Sequence, residues 1–362
     1  MNPAEILGVE EQTLLRLSLI RSPLLEWFRE NARSMPWRDS PTPYHVWISE
    51  VMLQQTRVEA VRSYFQRFVD ELPDIPSLAK IPEQRLLKLW EGLGYYSRAR
   101  NLQKAAQLLV NKMDSQLPAN YEALKTLPGI GEYTAGAISS IAFGIPVPAV
   151  DGNVYRVLSR LTASQAEITS PAVKKAWFQV AASLVPEDSP GQFNQALMEL
   201  GATVCLPNGA PLCSGCHLAA QCAAKEQGCQ ESLPRKAPKK PRVQEERTIV
   251  LILSENRVLL TRRESGLLIG MWEPLNLEGG RSAPEVEEAL EQLGGTSAVI
   301  EVLPSSKHIF THREWHMTGW LARTAAFPAP PGWEWAQNLS SHPLPSAFAA
   351  YTKLLPELLA EG

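Results

Sequence analysis

No stretch of this 362-residue sequence approaches the ~18 to 20 uncharged, apolar residues that a membrane-spanning helix requires. The N-terminal residues, Met1 to Ile6, show neither the basic nor the apolar region of a secretory signal. The sequence also lacks an internal repeat of fixed period. We therefore expect a cytoplasmic protein with no membrane partner.

Cysteine is absent before position 205 and after position 229, and all five cysteines lie between these limits. A secreted scaffold held by disulfides would spread its cysteines along a short chain. Clustering within one window of a long chain indicates a metal or iron–sulfur site instead. The chemistry of the spacing Cys213-x2-Cys216-x5-Cys222, with Cys205 upstream, leaves both zinc and an iron–sulfur cluster open.

An excess of positive charge is also missing, since the net charge is -3, and this argues mildly against a nucleic-acid partner. The charge is uneven, however. Two basic stripes, Arg85 to Lys104 and Arg235 to Arg242, contain little or no acid. For phosphate binding, a local cluster of basic residues matters more than the net charge of the chain. A basic helix face that is merely exposed to solvent would have the same sequence pattern.

Residues from about 10 to 228 are predicted to be mostly helical, because apolar residues recur at helical spacing. The clearest examples are Arg57 to Val69, Pro171 to Leu184 and Gln192 to Val204. We expect a helical domain over residues 1-229 and a basic, proline-rich linker over residues 230-246.

A second, mixed α/β domain is predicted over residues 247-362. Thr248 to Leu253 and Arg257 to Thr261 are β-branched runs separated by a turn, which is typical of paired strands. Pro284 to Leu293 is predicted to be a helix, and Trp315 to Ala322 another strand.

A tight turn, Pro128-Gly129-Ile130-Gly131, separates a short helix over Tyr121 to Leu127 from a second helix that starts near Tyr133. Its two glycines allow positive φ and close backbone approach, and amides at the start of the second helix suit a DNA phosphate. A plain helix–turn–helix connection would use the same residues.

About twenty residues later, Asp151 follows an apolar run and precedes a helical pattern, so it could simply be an N-cap.

The segments LPGIGEYTAGA and AVDGNVYRVLSRL together resemble the helix-hairpin-helix DNA glycosylases. Three further segments are similar to the MutY adenine glycosylases: Pro36-Trp37-Arg38, VWISEVMLQQTRVE at Val46 to Glu59, and GLGYYSRARNL at Gly92 to Leu102. The resemblance covers nearly the whole chain. It implies a helix-hairpin-helix catalytic domain with a [4Fe–4S] loop, and a Nudix-like C-terminal domain. The implied function is removal of adenine from 8-oxoguanine:adenine or guanine:adenine pairs in double-stranded DNA, by a monomer that associates with the nucleoid in a bacterium.

The resemblance also assigns roles. Glu50 matches the acid that protonates adenine, and Asp151 the carboxylate that stabilises or traps the sugar cation, with Tyr133 and Asn153 in support. Because Glu50 lies among apolar residues, burial should favour its protonated form. The residues that match the adenine pocket are Trp37, Arg38, Leu53, Val58 and Gln195. Those that match DNA-contacting positions are Gln55, Thr56, Tyr95, Gly129 and Gly131.

Tyr133 indicates the mechanism. In the related endonuclease III group a lysine at this position forms a Schiff base and cuts the strand, whereas tyrosine cannot form an imine. The resemblance therefore implies a monofunctional glycosylase.

The [4Fe–4S] ligands implied by the resemblance are Cys205, Cys213, Cys216 and Cys222. The gap after Cys205 has seven residues where the family usually has six. Cys229 is a fifth cysteine, expected to be free, which could in principle replace Cys222.

In the C-terminal domain, Gly266 to Glu273 is similar to the Nudix-like domain of the same family. The glutamate spacing REx2EE of Nudix hydrolases is missing from the predicted helix, so we expect no nucleotide pyrophosphatase activity. Phe310, Thr311 and His312 match the Phe-Ser-His loop that reads 8-oxoguanine in the family. Threonine keeps the hydroxyl but adds a methyl group. The alternative is that Phe310 belongs to the core and His312 to the surface.

Two rival functions are a mismatch thymine glycosylase and a catalytically silent, cluster-containing DNA-binding protein. The fused C-terminal domain and Gln195 disfavour the first. The joint presence of Glu50, Asp151, Tyr133 and Asn153 disfavours the second.

Overall fold

The computed structural model describes residues 2–238, 240–296 and 299–360. Its chain divides into two compact units, one comprising Met1–Lys80 and Asn101–Pro238, the other Ile81–Arg100 and Lys239–Gly362. The segment Ile81–Arg100 thus belongs with the C-terminal unit, although it lies within the predicted helical domain. No helix among the described residues is long and apolar enough to span a membrane.

In chain order, the α-helices are α1 (Pro3–Leu7), α2 (Glu11–Arg16), α3 (Arg21–Asn31), α4 (Pro36–Asp39), α5 (Pro43–Leu53), α6 (Val58–Glu71), α7 (Ile75–Lys80), α8 (Glu83–Leu89), α9 (Ser97–Lys112), α10 (Tyr121–Lys125), α11 (Glu132–Phe143), α12 (Gly152–Leu161), α13 (Pro171–Leu184), α14 (Pro190–Thr203), α15 (Ala223–Glu226), α16 (Ala283–Gln292), α17 (Ala349–Thr352) and α18 (Leu355–Ala360). The strands are β1 (Val243–Ser254), β2 (Arg257–Arg262), β3 (Trp272–Glu273), β4 (Leu275–Glu278), β5 (Val299–Ile309), β6 (Arg313–Arg323) and β7 (Trp333–Ala336).

The first unit is helical, as predicted. One of its core clusters is formed by one face each of α3, α12, α13 and α14, and includes the fully buried Trp177 and Phe193. The apolar face predicted for Arg57 to Val69 is present in α6, where Val61, Phe65 and Phe68 are buried. Burial of each such side chain contributes roughly 1.5 to 3 kcal/mol, so this periodicity fixes the faces that helices turn inward.

The second unit is built on a sheet of strand order β3-β2-β1-β6-β5, with β4 also paired to β1 and β7 to β2. Strands β1 and β6 are parallel, while the remaining pairs are antiparallel. Alternate residues of β1 enter two different cores. Ile249 packs toward α17 and α18, and Val250 toward α16, so the sheet is covered on both faces and β1 is continuously apolar there.

Strand β1 begins at Val243, inside the segment predicted as linker. Its first residues pair with β6, and the charge of Glu245 is compensated by two neighbouring arginines. Glu245 accepts hydrogen bonds from Arg313 at 2.6 Å and Arg247 at 2.8 Å. The first part of β1, Gln244 to Arg247, is polar and therefore has no apolar signal in sequence. Lys239, part of the predicted linker, lies outside the described residues.

Candidate active site

A cavity of about 780 Å³ in the first unit lies between α4, α5, α11, α14 and the start of α12. Its size is in the range that accommodates small ligands. It brings together side chains that are up to about 170 positions apart in the sequence. The predicted site residues that line it are Trp37, Arg38, Glu50, Leu53, Thr56, Val58, Tyr133, Asp151, Asn153 and Gln195.

Glu50 lies near the end of α5, a helix buried on most of its surface, and is itself only 6% exposed. Burial raises the pKa of Glu50 to about 7, and the negative charge of Asp151 adds to this rise, while the Tyr133 hydrogen bond and the charge of Arg38 oppose it. The expectation that the site favours the protonated carboxyl is therefore confirmed. The Tyr133 hydroxyl donates to Oε2 of Glu50, which leaves Oε1 available to carry the acidic proton.

Asp151 is the N-cap of α12, so the structural alternative is confirmed, and the same carboxylate also faces the cavity. Oδ1 accepts from the backbone amides of Asn153 at 2.9 Å and Val154 at 2.8 Å, and Oδ2 accepts from Nδ2 of Asn153 at 2.7 Å. Burial raises the pKa of Asp151, although these donors and the charge of Arg156 act in the opposite direction. Three donors stabilise the anion of Asp151, whereas within the described part of the chain Glu50 accepts only from the Tyr133 hydroxyl.

The Asn153 side chain is itself fixed by a hydrogen bond and by close packing. Arg156 donates to its Oδ1 at 2.8 Å and to the carbonyl oxygens of Gly201 and Cys205, both at 2.7 Å. A side chain on Gly201 would place its Cβ 2.6 Å from that of Asn153. The orientation of the Asn153 amide, and through it that of Asp151, is thus determined by packing from α14.

Glu199 was missed by the sequence analysis. It is 2% exposed and accepts from Arg33 Nε at 2.6 Å and Arg38 Nη2 at 2.9 Å. Burial acts to raise the pKa of Glu199, but the hydrogen bonds and charges of the two arginines prevail and lower it. Arg38 in turn donates to Gln195 Oε1 at 3.0 Å, which fixes the Gln195 amide toward the cavity wall. The sequence holds no local signal that separates Glu199 from a surface glutamate of a helix, because its partners lie far away in the chain.

Asn194 was also missed. It is 1% exposed and holds the chain just before Asp151, accepting from the Ala149 amide at 3.1 Å and donating to the Val147 carbonyl oxygen at 2.9 Å. A Cβ on Gly136 would lie 2.2 Å from the carbonyl oxygen of Pro148, so α11 can approach this segment only through glycine. Such close packing leaves Asp151 little freedom to move.

The predicted hairpin is present between α10 and α11, with one correction. Gly129 has φ +78, and a Cβ there would lie 2.8 Å from that of Asn101. Gly131 has φ -91 and ψ -177, an extended conformation open to any residue, and a Cβ would meet nothing within 4 Å. Positive φ is therefore required only at Gly129. Gly131 is the N-cap of α11 and offers no side chain, which leaves the first amides of that helix for another acceptor.

Gln55 and Tyr95, predicted to enter the DNA helix, both have left-handed backbones, with φ of 57 and 48. Such angles are uncommon for residues other than glycine and cost free energy, and they concentrate at functional positions. Both side chains are exposed, Tyr95 at 46%.

In the second unit, Phe310, Thr311 and His312 form the tip of the β5–β6 hairpin. Phe310 packs edge-on against Trp315, with ring centroids 4.8 Å apart, and joins the rim of the core, while Thr311 and His312 are exposed. The alternative that Phe310 belongs to the core and His312 to the surface therefore describes their packing correctly. It leaves the Thr311 hydroxyl at the tip, 3.2 Å from that of Tyr95.

Cys205, Cys213, Cys216 and Cys222 line one small cavity of the first unit, between α12, α14 and the loop after α14. Arg160 donates to the Cys205 Sγ at 3.2 Å. Burial raises the pKa of Cys216 to about 11, and the other three thiols of the cavity add to this rise. Cys229 is not among the lining residues. Within the described chain, no three cysteine, histidine or acidic side chains converge closely enough to hold a single metal ion.

Comparisons with known families match two separate ranges of the sequence. Residues 48–180 match the model of the HhH-GPD superfamily base excision DNA repair proteins, and residues 248–354 match the NUDIX domain. The chain is 35% identical to the adenine DNA glycosylase of Mus musculus, over 88% of this chain and 74% of the mouse protein. It is 38% identical to that of Homo sapiens, over 71% of this chain and 57% of the human protein.

Among solved structures, that of a thermostable thymine-DNA glycosylase is similar, with a TM-score of 0.53 and 28% identity. The match covers 59% of this chain and 97% of the thymine-DNA glycosylase, so it extends over little more than one unit of the present chain.

Proposed function

The chain belongs to the adenine DNA glycosylase family, and from this membership we propose that it removes adenine paired with 8-oxoguanine or guanine by hydrolysis of the N-glycosidic bond. The observation that carries the proposal is the pairing of Glu50 and Asp151 on one cavity. One carboxyl has a pKa of about 7, and the other is held by three hydrogen-bond donors. Glycoside cleavage needs two carboxyl groups in such different environments.

In the proposed reaction, Glu50 gives its proton to N7 of adenine, so that the base departs as a neutral molecule with the electron pair of the glycosidic bond. The sugar cation that remains is stabilised, or transiently trapped, by Asp151. Addition of water to the anomeric carbon and loss of a proton complete the hydrolysis. Asn153 keeps the Asp151 carboxylate directed at the cavity, and Tyr133 holds one oxygen of Glu50.

Adenine must leave the base stack to reach this cavity. We propose that Trp37, Leu53 and Val58 line its faces and that Arg38 and Gln195 contact its polar edge, since all five line the cavity. Gln55, Thr56 and Tyr95 would contact or enter the duplex, and the amides that follow Gly129 and Gly131 would bind phosphate. Phe310, Thr311 and His312 would read the opposite purine.

Tyr133→Lys should confer strand-cleaving activity. Tyr133 lines the cavity beside Glu50, and an amine at this position could form the imine that a phenol cannot. The measurement is nicking of an 8-oxoguanine:adenine duplex without alkali, with borohydride trapping of the enzyme–DNA adduct. Tyr133→Phe serves as the matched control. A lysine variant that yields neither nicked strand nor trapped adduct would contradict this interpretation of Tyr133.

We propose that Cys205, Cys213, Cys216 and Cys222 hold a [4Fe–4S] cluster. The observation that supports it is that all four thiols line one cavity. A cluster would bind the thiolates and shape the adjacent loop, and base cleavage by Glu50 and Asp151 does not involve it.

Anaerobically purified protein should therefore contain about four iron atoms per chain and show a broad visible absorption band. Cys222→Ser should lower the iron content, whereas Cys229→Ser should not, because Cys229 lies outside the cavity. One zinc ion per chain without iron would contradict the proposal.

The function is tested with three duplexes, which carry 8-oxoguanine:adenine, guanine:adenine or guanine:thymine, incubated with the protein and then treated with alkali. We expect breaks in the adenine strand of the first two. Mismatch thymine removal is the second candidate, favoured by the likeness to the thermostable thymine-DNA glycosylase. Breaks only in the thymine strand would favour that candidate, and no breaks at all would indicate a binding protein.

A further inference from the structure

A tight turn directly after α5 presents the Gln55 side chain to solvent. The Thr56 amide donates to the Leu53 carbonyl oxygen at 3.3 Å, and the backbone of Gln54 has φ -58 and ψ 112. With the positive φ of Gln55, these angles match a type II turn, whose second central position usually holds glycine or asparagine. A glutamine at that position is strained, so contacts from elsewhere in the fold must hold the turn in this shape.

One such contact comes from Gln54, the residue that precedes the strained position. Its Nε2 donates to Oγ1 of Thr134 at 3.1 Å. Thr134 is only 2% exposed and belongs to the first turn of α11, so the position of this acceptor is fixed by the helix and by its packing. The turn is thereby attached to a rigid element that lies 80 positions further along the chain.

The same first turn of α11 makes contacts with two other parts of the proposed site. Gly131 caps the helix without a side chain, which leaves its first amides for a phosphate. Tyr133 donates its hydroxyl to the Glu50 carboxyl inside the cavity. The next residue, Thr134, accepts from Gln54 at the end of the helix that carries Glu50. The phosphate site, the general acid and the turn therefore share one support.

We propose that Gln54 is a positioning residue, and that its hydrogen bond to Thr134 holds the turn in the shape that inserts Gln55 into the duplex. This inference rests on the proposed function, in which Gln55 enters the DNA helix as adenine leaves it. Among the described residues, Gln54 is not one of those that line the cavity. It should therefore act on extrusion of the base and leave the acid chemistry of Glu50 unchanged.

The advantage of a fixed turn is that Gln55 meets the DNA already ordered. Without the hydrogen bond, the turn could relax to the less strained backbone conformations that suit a glutamine. Ordering it again would then oppose DNA binding, as the immobilisation of any mobile segment does. The population of the extruded state falls in proportion to the fraction of protein whose turn has the competent shape.

The experiment follows base extrusion and base excision separately. Extrusion is measured by the fluorescence rise of 2-aminopurine, placed opposite 8-oxoguanine at the position of adenine and recorded immediately after mixing, because unstacking of this base increases its emission. Excision of adenine is measured from the 8-oxoguanine:adenine duplex, under single-turnover conditions with saturating protein, between about pH 6 and pH 9. A defect in the general acid would change the pH profile, whereas a defect in insertion would change the fluorescence.

The variants remove one partner of the hydrogen bond at a time. Gln54→Met removes the donor and keeps the length of the side chain. Thr134→Val removes the acceptor at nearly constant shape, and Thr134→Ser retains it. Gln66→Met is the matched control, because the Gln66 amide donates to Asp70 at 2.8 Å on the exposed face of α6. Thermal unfolding of each variant checks that the fold is intact.

We expect Gln54→Met and Thr134→Val each to lower the fluorescence rise, and to slow excision by about threefold to tenfold, the range that one hydrogen bond supports. The pH at which the rate declines should stay at its wild-type value. Thr134→Ser and Gln66→Met should behave as the wild type does. Because Gln54 acts through Gln55, Gln54→Met should cause no further loss in a Gln55→Ala background.

The inference is overturned if Gln54→Met leaves both fluorescence and rate unchanged, or if its full effect persists in the Gln55→Ala background. It is also overturned if Gln54→Met slows excision with a full fluorescence rise and a shifted pH profile, since the contact would then serve Glu50. A wild-type protein that removes no adenine would instead overturn the proposed function, a result visible without any variant.

Discussion

Glu50→Gln is expected to lower the rate of adenine excision by at least about a hundredfold, the contribution typical of a positioned general acid. Glutamine has nearly the shape of glutamate and can still accept the hydrogen bond from Tyr133, so the cavity should be preserved. What is lost is the acidic proton that the buried carboxyl retains near neutral pH. Single-turnover excision from an 8-oxoguanine:adenine duplex measures the effect.

The wild-type rate should also depend on pH in a stated direction. The general acid must be protonated, and the pKa of Glu50 is about 7. As pH rises above that value, the protonated fraction falls, and the rate should fall with it by about tenfold per pH unit. The residual rate of Glu50→Gln should not show this dependence.

The matched control is Glu59→Gln, on the exposed face of α6 with its side chain 78% exposed. It changes the same chemical group without touching the cavity, and it should retain the wild-type rate and pH profile. Thermal unfolding of all three proteins checks that the fold is intact. A Glu50→Gln rate within threefold of wild type would assign the acid to another group.

The sequence predicts the helical unit well because apolar spacing is a strong, local signal, and it predicts the cavity residues through the resemblance of its motifs to a known family. Apolar spacing determined the buried face of α6, and the residues matched to the adenine pocket do line a single cavity. The N-cap role of Asp151 was also predictable, since an acidic residue before a helical pattern is a local feature. Such patterns involve only residues that lie within a few positions of the one whose structure they predict.

The features that could not be predicted depend on contacts between distant segments. Glu199 is distinguished only by Arg33 and Arg38, more than 150 positions away. The hydrogen bond between Tyr95 and Thr311 joins residues 216 positions apart. Membership of Ile81–Arg100 in the C-terminal unit has no local signature, because α8 has an ordinary helical pattern. Gly131 shows the reverse case, in which a familiar motif suggested a backbone angle that the chain does not adopt.

Asp151→Asn should reduce adenine excision by about a thousandfold or more while preserving binding to the mispaired duplex. A preorganised group that faces a developing charge contributes on the order of 100-fold to 1000-fold, and here the carboxylate faces a full sugar cation. Asparagine is as good an N-cap as aspartate, so α12 should keep its start and the amides of Asn153 and Val154 their acceptor. The substitution therefore removes the charge and keeps the helix cap, and it also removes the acceptor of the Asn153 side-chain hydrogen bond.

Asp74→Asn provides the comparison, since Asp74 also caps a helix, accepting from the Ser77 amide at 2.8 Å, but at an exposed position away from the cavity. Loss of charge at a cap should be tolerated there, with excision and thermal stability near wild type. Equal losses of activity in both variants would mean that helix capping, and not the sugar cation, explains the effect of Asp151. A large loss confined to Asp151, with duplex affinity within about threefold of wild type, would locate its contribution in the transition state, because an interaction made equally in the ground state would weaken binding as well.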